Sequence, residues 1–188
     1  MTDSITSREA TEAARFMLVI DCSSSMKGNK LVQAQEGADA FAVKALRDGH
    51  LVGIISFAQT PVLLQLPAAD HQLILRAISD LRPAGGTDIA AAFFLATRTL
   101  GQGDRRTIVL VTDGMPWPNT PETRERTVDM ADDAKLLGIE IMCIGTDDAD
   151  LEFLRQLASL DELAKHVSSM NLRQELEASY DLMKLLGP

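Results

Sequence analysis

Acidic and hydroxyl side chains follow directly after a short apolar segment near the start of the chain. The segment Phe16–Asp21 (FMLVID) has the composition of a buried strand, and its last residue is a carboxylate. Ser23, Ser24 and Ser25 come next. In a turn that leaves a strand, alternate side chains can converge on one point, and carboxylate and hydroxyl oxygens are ligands that suit Mg²⁺ or Mn²⁺. The pattern therefore indicates part of a metal site, which needs further oxygen donors from elsewhere in the chain.

Two other segments carry similar chemistry at the boundary of a predicted element. Asp113 directly follows the apolar run Thr107–Thr112, and Thr87 lies in a glycine loop, GGTD, just before a predicted helix. Asp88 in the same loop is predicted to cap that helix or to support the site indirectly, and not to bind a metal directly. Two carboxylates in one crevice repel each other unless a proton, a basic side chain or a cation compensates them. No lysine or arginine recurs beside all three loops, although Lys27 lies near the first, so a divalent cation is favoured.

Alternating strand and helix patterns predict a doubly wound, Rossmann-like α/β sheet that is mostly parallel, with helices on both faces. Helices are predicted over residues 29–47, 70–81, 89–100, 120–138, 150–159 and 171–186 from three- and four-residue periodicity and capping signals. Short apolar runs predict strands at Phe16–Asp21, Leu51–Phe57, Val62–Leu66, Thr107–Thr112 and Ile139–Ile144, with a weaker one at His166–Ser168.

Connection lengths refine this topology. Only four residues separate Phe57 from Val62, too few for a parallel crossover, so Val62–Leu66 is predicted to be an antiparallel edge strand. In a doubly wound sheet, ligands bind beyond the carboxyl ends of the strands, where the winding reverses. Asp21 and Asp113 end strands that this topology makes neighbours. The sequence therefore predicts one crevice that contains both carboxylates and several hydroxyls.

Composition limits the class of function. The chain has 188 residues, which favours one domain, predicted at 15–188 after a polar N-terminal segment at 1–14. An excess of 27 acidic over 18 basic residues gives a net charge of −9, which argues against nucleic acids and anionic membranes as partners. The polar start of the chain and its two isolated cysteines predict a cytoplasmic protein.

The three segments together resemble the metal-ion-dependent adhesion site of von Willebrand factor type A domains of the stand-alone, intracellular bacterial kind. The resemblance covers nearly the whole chain, including the antiparallel edge hairpin and the last helix. Ser24 departs from the family pattern, because many members have glycine there, and a positive φ at that position would strain a serine. The residues that carry the resemblance are Asp21-Cys22-Ser23-Ser24-Ser25, Thr87 in GGTD and Asp113 in TDG.

The resemblance implies a role for each of these residues. Ser23 and Ser25 would bind Mg²⁺ or Mn²⁺ directly, Asp21 would bind it mainly through water, and Thr87 and Asp113 would exchange direct and water-mediated roles. One coordination position would remain for an Asp or Glu of a partner protein. Members of this kind commonly work beside AAA+ ATPases or beside kinase and phosphatase systems. The implied function is a non-catalytic, metal-dependent interaction module.

The alternative function is a metal-dependent hydrolase or phosphatase with Asp21 as its nucleophile. Several features argue against it. The haloacid dehalogenase signature requires a second aspartate two residues on, where this chain has Ser23, and no histidine lies near the three loops to act as a general base. A Walker-type phosphate loop is also absent from the sequence.

Trp117 is the only tryptophan, and it lies in GMPWPNTP, shortly after Asp113. Neighbouring prolines stiffen this segment, so little conformational entropy would be lost when a partner binds. A large aromatic side chain at the rim of a metal crevice is typical of an interface anchor. The alternative is that Trp117 folds back to cover the helix that begins near Thr120.

Overall fold

A computed structural model of the chain describes residues 13–186. Within that range a six-stranded sheet has the order β3-β2-β1-β4-β5-β6, and β3 is antiparallel to β2 while the other neighbours are parallel. Most of the polar segment predicted at 1–14 lies outside the described residues, as do the last two positions of the predicted domain. The strands are β1 Arg15–Asp21, β2 Leu51–Phe57, β3 Val62–Ala68, β4 Arg106–Thr112, β5 Ile139–Thr146 and β6 Ala164–Val167.

Helices surround this sheet in two groups. The first helix packs against the second and the sixth, while the third packs against the fourth, which also contacts the fifth. None of these helices combines the length and the apolar character that a membrane span requires. They are α1 Asn29–Arg47, α2 His71–Ser79, α3 Ile89–Leu100, α4 Pro121–Leu136, α5 Leu151–Leu157 and α6 Leu172–Leu186.

The doubly wound, mostly parallel fold and its antiparallel edge strand are as predicted from the sequence. The chain runs from β1 outward to β2 and β3, and then returns to β4 on the other side of β1. The winding therefore reverses between β1 and β4. Ile20 pairs with Val111 in these two parallel strands, so the loops that follow them leave the same edge of the sheet side by side.

Local capping sets where the helices near this edge begin. Asp88 caps α3, because its Oδ1 accepts a hydrogen bond from the backbone N–H of Ala91 at 2.9 Å. Thr120 and Thr123 form a capping box at the start of α4, with Pro121 in the first turn. These caps satisfy N–H groups that a helix cannot satisfy by itself, and they position the loops that precede each helix.

At the amino ends of the strands, α6 is joined to α1 and β1 by aromatic packing. The rings of Phe16, Phe41 and Tyr180 lie in edge-to-face contact with centroids 5.3–5.8 Å apart. The Tyr180 hydroxyl and Lys184 Nζ both donate to Asp48 Oδ2 at 2.8 Å. This anchors the last helix at the end of the sheet opposite the loops that follow β1 and β4.

Candidate metal centre

The side chains of Ser23, Ser25 and Asp113 contact one another beyond the carboxyl ends of β1 and β4. After Asp21 the chain enters a 3₁₀ turn, Ser24–Met26, which brings the hydroxyls of Ser23 and Ser25 to 3.0 Å from each other. Ser25 Oγ donates a hydrogen bond to Asp113 Oδ1 at 2.7 Å. Residues that are far apart in the sequence therefore form one compact set of oxygen donors, as the spacing of the motifs predicts.

Asp21 lies beneath this set and is fully buried. Its Oδ1 accepts from the backbone N–H of Ser23 at 2.7 Å, and its Oδ2 accepts from Thr112 Oγ1 at 2.6 Å. Burial raises the pKa of Asp21 to about 6, although these hydrogen bonds oppose the rise. Asp21 thus orients the serine turn through the backbone N–H of Ser23. Because its carboxylate is buried and poorly solvated, a nearby cation would stabilise its negative charge.

The GGTD loop adds Thr87, which is nearly buried and has no hydrogen-bond partner for its hydroxyl among the described residues. Gly86 reaches φ 74° beside Gln59, whose Cβ would lie only 2.9 Å from a side chain added there, so glycine is required at this turn. The loop is held in place by backbone bonds from Gln59 to Gly85 (2.8 Å) and from Trp117 to Thr87 (2.9 Å). An unpaired hydroxyl next to the serines is a further oxygen that could bind a metal.

Lys30 is the basic group at the site, and sequence reasoning missed it. Its Nζ lies 2.7 Å from Asp113 Oδ2 and 2.9 Å from Asp147 Oδ2. Partial burial would lower the pKa of Lys30, but the hydrogen bonds to the two carboxylates raise it above its ordinary value. Lys27, the cation that the sequence placed nearest, is exposed. The available signal was that α1 starts immediately after the serine loop, so its first turn must lie beside the crevice.

The hydroxyl side chains line an open cleft, and the two carboxylates are not part of its lining. Ser23, Ser25 and Thr87 line a cleft of about 260 Å³, whereas the carboxylates of Asp21 and Asp113 are buried at 0% and 3% exposure. No group of three His, Cys, Asp or Glu side chains within residues 13–186 has the arrangement of a metal site, so a centre here depends on hydroxyl ligands. An all-oxygen set of this kind fits Mg²⁺ or Mn²⁺ rather than zinc.

The other residues singled out from the sequence have clear positions. Trp117 is 72% exposed at the rim of the cleft, so it does not fold back to cover α4. Ser24 is not among the non-glycine residues with positive φ in the described part of the chain, so the family glycine is not needed there. Burial raises the pKa of the Cys22 thiol to about 12, which keeps it protonated.

Comparison with known proteins agrees with this architecture. A UPF0353 protein of Mycolicibacterium vanbaalenii is 31% identical to the chain over 84% of this chain and 53% of the relative. The chain spans about half the length of the first curated relatives that it matches. These relatives establish sequence kinship over most of the domain.

Solved structures share the fold at low sequence identity. The domain of the type V pili tip protein Mfa5 from Porphyromonas gingivalis superposes with a TM-score of 0.83 at 16% identity, and the match covers 92% of this chain and 95% of that one. The pilus adhesin SpaC from Lactobacillus rhamnosus GG gives a TM-score of 0.80 at 17% identity over 93% of this chain and 31% of that one. The family model for the von Willebrand factor type A domain matches residues 16–115, more than half of the sequence. The chain therefore belongs to the von Willebrand factor type A domain family.

Proposed function

We propose that this domain is a metal-dependent protein-interaction module. Ser23, Ser25, Thr87 and Asp113 would hold Mg²⁺ or Mn²⁺, with Asp21 acting from the layer below, and an Asp or Glu of a partner protein would complete the coordination. The observation that carries the proposal is the convergence of Ser23, Ser25 and Asp113 within 3.0 Å contacts around an open cleft.

Electrostatics explains why a cation would be needed. The chain carries a net charge of −9 and buries two carboxylates under this cleft, so by itself it would repel an acidic partner. A bound divalent cation supplies the local positive charge that a partner carboxylate requires. Ser23 and Ser25 present neutral oxygens to the cleft, and Lys30 compensates only the Oδ2 side of Asp113. The charge of the site is therefore not fully compensated by Lys30, so a divalent cation can bind there and can in turn attract a partner carboxylate.

Relatives in fold support an interaction role, since one of them is described as a pilus adhesin. The partner class implied by the family resemblance, an AAA+ ATPase or a kinase and phosphatase system, remains part of this proposal. For binding, the site requires only that the partner present an acidic side chain to the metal.

Calorimetric titration of Mg²⁺ and Mn²⁺ into chelator-treated protein tests the metal site. Wild type should bind one ion, and the double variant Ser23→Ala/Ser25→Ala should lose about tenfold or more in affinity, because direct ligands matter at least as much as the groups that orient them. Ser24→Ala is the matched control, since Ser24 is exposed and its hydroxyl donates to Ala84 O outside the donor set. Equal affinity of wild type and double variant would overturn the site.

Affinity capture from host extract, in Mg²⁺ and in chelator, tests the interaction. Proteins retained by wild type in Mg²⁺ should be lost in chelator and lost with the double-serine variant. Retention that does not depend on the metal or on the two serines would contradict the proposed function even if the metal binds.

The hydrolase alternative is disfavoured by the position of Asp21. A nucleophilic carboxylate must reach its substrate, but Asp21 is fully buried and both of its oxygens accept hydrogen bonds from Ser23 and Thr112. Assays on small phosphoesters with Mg²⁺ and Mn²⁺ should show no turnover above that of Asp21→Asn. Turnover that this substitution abolishes would favour the enzyme.

A further inference from the structure

A second cavity adjoins the metal cleft on the side away from the serine turn. It encloses about 520 Å³ and shares Gly86, Thr87 and Trp117 with the cleft, so the exposed indole stands between the two. Its far side is formed by Arg126 and by the start of α4. A partner segment that extends from the metal cleft on this side would pass Trp117 and enter the second cavity.

Several polar side chains of the second cavity already have hydrogen-bond partners within the domain. Asp88 is already engaged: Oδ1 accepts from the Ala91 N–H and from Arg126 Nη2, and Oδ2 accepts from the same Nη2 at 3.1 Å. The hydroxyls of Thr123 and Thr127 donate to backbone carbonyls within their own segment. The Asp88 carboxylate and the hydroxyls of Thr123 and Thr127 are thus paired within the domain, whereas the Thr87 hydroxyl, which both cavities share, is not.

Donors remain. Arg126 Nε and Nη1 have no hydrogen-bond partner among the described residues, and neither has the Gln59 side-chain amide, which can both donate and accept. The Arg126 side chain is 55% exposed, while Asp88 holds one of its nitrogens in place. A guanidinium that is pre-oriented in this way and still has two free nitrogens favours an acceptor, and charge-assisted bonds to a carboxylate are the strongest it can make.

We propose that the second cavity binds a second carboxylate of the same partner segment, held by Arg126, while the segment crosses Trp117. The inference rests on the proposed function, in which the first carboxylate completes the metal site. It specifies the partner further: an exposed segment with two acidic residues, one for the metal and one for Arg126. A net negative domain would then recognise a doubly acidic ligand through one metal ion and one arginine.

Selection from a display library of random linear peptides, with binding in Mg²⁺ and elution by chelator, tests this proposal. Wild type should select peptides with two acidic residues at a recurring spacing, whereas Arg126→Ala should select peptides with one. For a selected two-acid peptide, Arg126→Ala should weaken binding by about tenfold or more, as expected for lost hydrogen bonds to a charged group. Arg98→Ala is the control, because it removes the same charge from an exposed position on α3 that lines neither of the two cavities.

A double-mutant cycle separates a direct contact from a general charge effect. Replacing the second acid of the peptide by its amide should weaken binding to wild type but should change little with Arg126→Ala, because the pair is then already broken. Selection of metal-dependent peptides with a single acid, or equal losses for Arg126→Ala and Arg98→Ala, would overturn the second site and leave the proposed function intact. Failure to select any Mg²⁺-dependent peptide would overturn both.

Discussion

The two ends of the sheet arrange their polar side chains differently, because one end surrounds a cleft and the other joins neighbouring elements to one another. At the carboxyl ends of β1 and β4, Ser23, Ser25 and the unpaired hydroxyl of Thr87 line an open cleft, and the carboxylates of Asp21 and Asp113 are buried next to it. At the amino ends, polar groups join elements of the domain to one another: Arg106 donates to the carbonyls of Gly101 and Leu137, and Asp48 accepts from Tyr180 and Lys184.

Under the proposed function, ligand binding occurs at the carboxyl end, whereas the aromatic and ionic contacts that hold α6 lie at the amino end. Hydrogen-bonding groups that are paired inside the domain stabilise it, while groups left without internal partners cost stability and are available to a ligand. Substitutions at the amino end should therefore lower the free energy of unfolding and leave binding intact, whereas substitutions at the exposed rim of the cleft should mainly weaken binding.

The largest effect is expected for Phe41→Ala at the amino end. Phe41 is fully buried between Phe16 and Tyr180, so the substitution leaves a cavity and should lower the free energy of unfolding by about 3–5 kcal/mol. Urea denaturation measures the loss, and Mg²⁺ affinity of the folded protein should stay unchanged. Phe94→Ala, which truncates a ring that is 57% exposed on α3, should cost about 0.5 kcal/mol or less. Equal losses would contradict the separation.

Trp117→Ala should have the opposite profile. Loss of this exposed indole should weaken binding of a Mg²⁺-dependent partner by about 2 kcal/mol. The melting temperature and the metal affinity should stay unchanged. Leu136→Ala provides a control, because Leu136 is 85% exposed at the far end of α4. Since Trp117 is the only tryptophan, its fluorescence should be red-shifted and readily quenched in the free protein and protected when the partner binds. A large fall in melting temperature would mean that the indole is structural.

Lys30→Met tests whether the lysine competes with the metal. Lys30 forms an ion pair with Asp113, so its loss should destabilise the protein in buffer without divalent cations by about 1 kcal/mol. The same change removes a positive charge that opposes a cation, so Mg²⁺ should bind more tightly to the variant. Calorimetry and thermal melts with and without Mg²⁺ measure both effects, and Lys27→Met, at an exposed position in the same loop, should show neither. Weaker Mg²⁺ binding by Lys30→Met would show that the lysine supports the metal site.

The smallest effect is expected for Asp48→Asn and depends on pH. The hydrogen bonds from Lys184 and Tyr180 lower the pKa of Asp48 from 3.8 to about 2. Because the folded pKa lies below the unfolded one, this stabilisation is present above the unfolded value and is lost as the pH falls through the folded value. Asp48→Asn should therefore be less stable than wild type at neutral pH, and the gap should close between pH 3.8 and about 2.

Urea denaturation across this pH range measures the gap. Asp129→Asn, at an exposed position on α4, should follow wild type throughout. A gap of constant size from neutral to acid pH would show that Asp48 contributes through packing and not through its charge.

How well each element was predicted follows from its burial. The limits of β2 and α3 were predicted without error, because an apolar run or a capped periodic helix leaves little choice of ends. The sheet edges were less accurate. Strand β3 continues to Ala68 because β2 offers Val52 as a partner, and β6 begins at Ala164, two residues earlier than predicted, because it pairs there with Cys143 of β5.

Functional and structural side chains were also predicted with unequal success. Each proposed metal ligand lies at an element boundary, and its type and spacing were visible in the chain. Lys30, Tyr180 and Arg126 were missed, because their roles arise from contacts with Asp113, Asp48 and Asp88, which lie 83, 132 and 38 positions away. Periodicity reports which face of an element is buried, but it does not report which distant polar group that face meets.

The sequence by itself determined the fold class, the antiparallel edge strand and the three loops that supply oxygen donors, because each of these is encoded by local patterns of apolar, capping and turn residues. Only the tertiary structure decided that Asp21 lies under the serines, that a lysine compensates Asp113, and that Trp117 stands exposed between two cavities. The physical reason is that depth, charge compensation and cavity shape depend on which elements pack together, and that packing is a property of the whole sheet and its helices.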